Sequence, residues 1–256
     1  MQLLFTLLVC AFMLVPVLMS LLAGLTRNFF VGLSSGLTFD WLIQVWQAYS
    51  PTVWLSLQLA LACAVCVCVI GVPAAYALVR MNNRFSRAFE ELMVLPVAMP
   101  GLASALALLL TYGQFGTFRS SWLFILVGHV LFTLPFLVRP VMAVMQRQHL
   151  PVLEEAAASL GAGPIKRFFS VVVPNSRAGI LAGVLMVVTL SLGEFNLTWM
   201  LHTPMTKTLP VGLADSYASA RLEIASAYTL IFLLMIVPLL IALQAISARL
   251  SRGERR

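Results

Sequence analysis

The chain has 256 residues, 61% of them hydrophobic and only 10% charged, with a mean hydropathy of +0.98. A water-facing globular domain carries about 25% charged residues, so this composition excludes a soluble fold and reads as an all-α integral membrane protein. The formal net charge of +7 comes from 16 Lys and Arg against 9 Asp and Glu. Those basic residues sit in short loops between apolar runs, which argues against a nucleic-acid partner.

A membrane-crossing helix needs about 20 mostly apolar residues to traverse roughly 30 Å of hydrocarbon. Six segments meet that length, at about 3–25, 52–79, 92–112, 122–145, 178–200 and 224–248. Together they predict one transmembrane domain over 1–256. The first has no basic n-region and is longer than a signal-peptide h-region, so it reads as a retained span, with a cleaved signal as the alternative. Before the second span lie Trp41, Trp46, Tyr49 and Trp54, read as interfacial anchors. Cys63 and Cys66 in that span form a C-x-x-C, but no histidine or acid stands near them or near Cys10 and Cys68. They read as small buried hydrophobes, and no metal site is expected.

Pro96, Pro100 and Gly101 break the third span. Backbone groups freed at that depth need neighbours or a water-lined path, so a bundle-shaping kink and direct solute contact both fit. His129 in the fourth span reads as a hydrogen-bonded packing residue. In the fifth, Gly179-x-x-x-Gly183 allows close helix approach, within the chain or across a dimer. Glu194 is the one acid well inside a span, where a charge costs at least about 2.5 kcal/mol. It must face the bundle interior or water, either lining a pathway or forming a structural pair. Asn196 and Trp199 share its helix.

Orientation follows the distribution of Lys and Arg. A cytoplasmic N-terminus puts Arg80, Arg84, Arg87, Arg139, Arg147, Lys166, Arg167, Arg177, Arg249, Arg252, Arg255 and Arg256 inside. Only Arg27, Arg119, Lys207 and Arg221 then lie outside, twelve against four, and both termini are cytoplasmic. The basic tail reads first as an orientation signal and second as a contact for membrane lipid.

The most polar segment, 146–177, falls on the cytoplasmic side. Leu150, Leu153, Ala157 and Leu160 recur at helical spacing, and Pro151 suits a first helical turn. Gly161 and Gly163 are expected to end this helix through positive φ, and Pro164 to start a second. Ile165, Phe168, Phe169 and Val172 line one face of that second helix, which Pro174 is expected to stop.

Glu155-Ala156-Ala157, three residues, Gly161, nine residues, then Val171-Val172-Val173-Pro174 resembles the EAA loop of permease subunits of binding-protein-dependent ABC importers. Val171 and Val173 stand where the family pattern has Ile and Leu. The resemblance implies a cytoplasmic coupling helix between the fourth and fifth spans, seated on a separate ATPase. Glu155, or its neighbour Glu154, would pair with a basic group there. Ala156 and Ala157 would permit close approach, and Gly161 and Pro174 would shape the turn and its exit.

Leu192-Gly193-Glu194-Phe195-Asn196 resembles a fifth-helix stretch of molybdate, polyamine, phosphonate and iron permeases, near their pathway. Leu209-Pro210-Val211-Gly212-Leu213 resembles the outer loop that dips back in such proteins. The implied assembly is an ABC ATPase dimer, a second and related permease, and a periplasmic or extracellular binding protein, in the bacterial inner membrane. Its solute is a polyamine, 2-aminoethylphosphonate or another small ion. Asp215 and Glu223, with Glu194, point to a cationic or amino-bearing solute, whereas Lys207 and Arg221 oppose that.

No Gly-Lys pair occurs, so the chain has no Walker A loop, and ATP and Mg belong to the partner ATPase. No catalytic residues are expected, and an intramembrane enzyme would lack a constellation. The rival reading is a secondary transporter or channel subunit, which predicts paired broken helices near the midplane.

Overall fold

A computed structural model describes residues 2–147 and 150–252. Gln148, His149 and 253–256, with Arg255 and Arg256 of the predicted inner charges, lie outside the described residues. Among the described residues there is no strand beyond an isolated antiparallel bridge between Thr26 and Leu37.

The helices are α1 (Gln2–Ala23), α2 (Asp40–Met81), α3 (Arg84–Ala98), α4 (Gly101–Tyr112), α5 (Gly116–Ser120) and α6 (Trp122–Arg147). There follow α7 (Leu150–Ser159), α8 (Pro164–Arg167), α9 (Val173–Gly193), α10 (Asn196–Leu201), α11 (Leu209–Ala218) and α12 (Leu222–Arg252). Five helical stretches are long and apolar enough to cross a membrane, or six if α3 and α4, bent by 102°, count as one span. They gather into two compact units, the chain changing unit at Ser56–Leu57, Thr206–Lys207 and Pro238–Leu239.

The first unit packs α1, the start of α2, α11 and the start of α12. Its core is Val45, Val53, Leu209, Ile224, Ala227 and Tyr228. Here α2 begins at Asp40, well before the predicted span. Thr38 Oγ1 accepts from the Asp40 N–H at 3.1 Å, and Asp40 favours the helix dipole in the first turn. Trp41 and Tyr49 pack on the core while partly exposed, whereas Trp46 and Trp54 remain exposed. Trp41 Nε1 also donates to the Thr26 carbonyl at 3.0 Å.

The turn just after α1 meets α12 backbone to backbone, since a Cβ on Gly24 would lie 2.8 Å from Ala227 N. The segment from Leu209 to Leu213 forms the first turns of α11, with Leu209 N donating to Ser56 Oγ at 2.7 Å. Four charged side chains of this unit have partners within it. Asp215 pairs with Lys207, Glu223 Oε1 accepts from Phe29 N at 2.9 Å, and Arg221 Nη2 donates to Tyr49 Oη at 3.2 Å.

The second unit is built around α6, whose Leu137, Val138, Val141, Met142 and Met145 are buried. Cβ atoms on Gly179 and Gly183 would sit 2.7 Å from the Pro140 carbonyl oxygen and 2.8 Å from Leu137 Cα. The small-residue pair thus packs α9 on α6 within the chain. An Asn83–Ser86 capping box starts α3.

Candidate functional site

Two features of the second unit carry the sequence candidates: the polar platform and a pair of helix breaks. In the platform, α7 ends in a Schellman arrangement. Gly161 N donates to Ala158 O at 2.9 Å and Ala162 N to Ala157 O at 3.0 Å, with Gly161 at φ +82°. Gly163 does not share that role. Its φ is −65° with ψ 163°, extended, as expected for a residue before proline.

The two adjacent glutamates have different fates. Glu154 is 5% exposed, and its Oε1 accepts from Tyr76 Oη at 2.6 Å. Arg80 Nη1 donates to that same Tyr76 oxygen at 2.7 Å and lies 3.7 Å from Glu154 Oε1. Glu155 is exposed, as is Ala156, while Ala157 is half-buried. Leu150 is buried, but Val152, Leu153, Leu160, Ile165 and Phe169 present apolar surface. Tyr76 and Arg80 were invisible to motif reading, because nothing in α2 marks them except a tyrosine one helical turn before an arginine.

Pro174 does not stop the second helix. Instead α8 runs through a π-turn, Phe168–Val172, directly into α9. The turn's wider register, with Val173 N donating to Phe168 O, leaves Pro174 in the first turn of α9, where it needs no N–H. Asn175 Nδ2 donates to the Val171 carbonyl at 2.7 Å.

The first break separates α3 from α4 at Met99 and Pro100, both extended, with ψ of 144° and 134°. Pro96 stays inside α3. The second was not expected. The fifth span is interrupted at Glu194 and Phe195, between α9 and α10. Glu194 is half-buried, and its Oε1 accepts from Leu197 N at 2.6 Å, occupying a donor freed by the break.

The two breaks lie against each other. A Cβ on Gly101 would meet Asn196 Cβ at 3.1 Å, Glu194 Oε1 at 3.5 Å and Leu197 N at 3.5 Å. Beside them is a cavity of about 260 Å³ lined by Met99, Ser104, Gly128, Phe132 and Leu197. Ser104 Oγ is buried there without a hydrogen-bond partner. Asn196 and Trp199 are exposed, and the Trp199 ring lies tilted against Phe195 at 5.3 Å and His202 at 5.6 Å.

His129, 1% exposed, spans the second break from α6. Its Nδ1 is 2.8 Å from Ser191 Oγ on α9, and its Nε2 is 2.8 Å from Thr198 Oγ1 on α10. The periodicity of 178–200 hid this break, since apolar residues continue across it. The available signal was Gly193 followed by an acid three residues before Leu197. Cys63 Sγ lies 3.2 Å from Thr133 Oγ1, and no group of three or more His, Cys, Asp or Glu suited to a metal occurs among the described residues.

Residues 67–252 match the family described as binding-protein-dependent transport system inner membrane component. The chain is 30% identical to the molybdenum transport system permease protein ModB of Azotobacter vinelandii, over 69% of this chain and 83% of that one. It is 28% identical to the sulfate transport system permease protein CysW of a Synechocystis strain, over 76% of this chain and 75% of the relative. It is 29% identical to the putrescine transport system permease protein PotI of Escherichia coli K12, over 78% and 74%. A chain of the MetNI methionine ABC transporter, solved in inward-facing conformations, shares the fold with a TM-score of 0.63 at 16% identity. That match covers 79% of this chain and 94% of the other.

Proposed function

This chain belongs to the binding-protein-dependent transport system inner membrane components, and we propose that it is the permease subunit of an ATP-driven importer, coupled through α7 to a separate ATPase. The carrying observation is the platform itself. Its short helix is tethered on one side by Leu150 and Glu154, and it presents Glu155 and unpartnered apolar side chains on the other. Glu155 pairs with a basic group of the ATPase, Ala156 and Ala157 allow close approach, and Gly161 sets the exit. Pro174 lets the helix continue, so platform and fifth span move as one lever.

The assembly contains an ATPase dimer, a second and related permease, and a binding protein on the outer side of a bacterial inner membrane. Lipid and the second permease cover α1, none of whose membrane-length window is buried within the chain. ATP binding closes the ATPase pair and draws the platforms together, and the pathway opens outward; hydrolysis resets it, a population shift driven by differential binding. The paired breaks, with Glu194, Asn196 and Trp199, line that pathway.

Its solute is a small ion released by the binding protein, which sets most of the selectivity. Uptake of molybdate, sulfate, putrescine and 2-aminoethylphosphonate, each with the cognate binding protein present, identifies it.

The paired breaks also favour a second reading, since a secondary transporter builds its site from such helices. Copurification separates the two. The intact chain is expected to retain an ATPase subunit, and Glu155→Lys with Gly161→Leu to lose it by about tenfold or more, a change of roughly 1.4 kcal/mol or greater. Uptake by the chain alone in vesicles, with no ATPase ever retained, would put the secondary transporter first.

A further inference from the structure

Tyr76 touches both limbs of the platform. Its hydroxyl donates to Glu154 on α7, and its ring meets Phe168, the first residue of the π-turn, edge-on at 5.5 Å. Arg80, one turn further along α2, donates to the same hydroxyl, so the phenol oxygen is a donor to one group and an acceptor from another. A carboxylate as buried as that of Glu154 needs such partners, because leaving it unpaired costs far more than the bonds return.

The packing around this contact is uneven. On the Glu154 side, the space bounded by Arg80, Met145 and Leu150 amounts to only about 10 Å³. On the Phe168 side, an open surface groove lies between Pro73 and Tyr76 of α2 and Pro164 and Phe169 of the platform. One limb is therefore fixed to α2, while the other borders open space. The π-turn beside it is a helix irregularity of the kind found frequently at functional sites.

We infer that Tyr76, Arg80 and Glu154 form a latch that carries movement of the platform into α2, with Glu155 left to bind the ATPase. The inference rests on the importer reading above. It assigns Tyr76 and Arg80 as positioning residues and withdraws Glu154 from the docking surface.

The test uses the chain in complex with its ATPase, trapped with ATP and vanadate and followed by hydrogen–deuterium exchange. In the intact complex, trapping is expected to alter exchange in both 150–160 and 70–81. In Tyr76→Phe, which removes a single oxygen, the ATPase stays bound and 150–160 still responds. The response in 70–81 falls by about fivefold or more, the scale of an ordinary coupling free energy. Arg80→Gln behaves in the same way. Glu154→Gln, which keeps an acceptor for Tyr76, preserves more of the response than Glu154→Leu.

The latch is overturned if 70–81 responds in Tyr76→Phe as it does in the intact complex. It is equally overturned if Tyr76→Phe and Glu154→Leu release the ATPase as Glu155→Lys does, for Glu154 would then belong to the docking surface. Failure of the intact chain to hold any ATPase overturns the importer reading beneath it, a result distinct from either.

Discussion

Gly161 and Gly163 stand two residues apart, and a Cβ on either would meet nothing within 4 Å. Space therefore does not distinguish them, but backbone conformation does. Gly161, at φ +82°, occupies a region where an L side chain costs about 1–2 kcal/mol, whereas Gly163, at φ −65°, occupies one open to any residue. Gly161→Ala is expected to weaken ATPase retention about five- to thirtyfold, if the strain is relieved by unwinding the end of α7. Gly163→Ala is expected to leave retention unchanged, and quantitative copurification compares the two directly. Equal losses would mean that the platform needs flexibility rather than a particular turn. Both glycines looked alike in the sequence, because a glycine's φ depends on its neighbours and here Pro164 decided one of them. The two glutamates were inseparable for a similar reason. Which of them turns inward depends on Tyr76, nearly 80 residues away.

Among the elements, the breaks show how far periodicity reaches. The break in the third span was legible because Pro100 lacks a donor and forces Met99 into an extended conformation. The break in the fifth has no proline at its centre and is held by one local bond and by tertiary contacts from α6. Glu194 satisfies the Leu197 N–H, and His129 bonds to hydroxyls on both sides. His129→Phe keeps an aromatic ring of similar bulk but strands the Ser191 and Thr198 hydroxyls, at about 1–3 kcal/mol for each buried group left unmade. A fall of several degrees in thermal unfolding in detergent is expected, at roughly 2–4 °C per kcal/mol for a chain of this size. Transport should fall with it, since the two halves of the span lose their common tether. Unchanged unfolding and transport would show that the hydroxyls find backbone acceptors, as Thr198 Oγ1 already partly does with the Glu194 carbonyl at 3.3 Å.

At the scale of the whole molecule, the importer reading requires α7 to face the compartment that holds ATP. That requirement rests on charge placement, since a helical fold is equally stable in either orientation and only the Lys and Arg in short loops distinguish the two faces. A thiol scan checks it. Met205, 90% exposed between α10 and α11, and Phe85, 68% exposed at the start of α3, are predicted to lie on opposite faces. The native cysteines Cys10, Cys63, Cys66 and Cys68 all lie within membrane-length helices, so an impermeant maleimide meets little background from them. Met205→Cys is expected to label in intact cells, and Phe85→Cys only after the inner membrane is opened. The reverse pattern would place Glu155 and the exposed apolar face of the platform outside, beyond reach of any cytoplasmic ATPase. The coupling role of α7 and the latch to Tyr76 would then fall together, while the helical fold and the two facing breaks would stand unchanged.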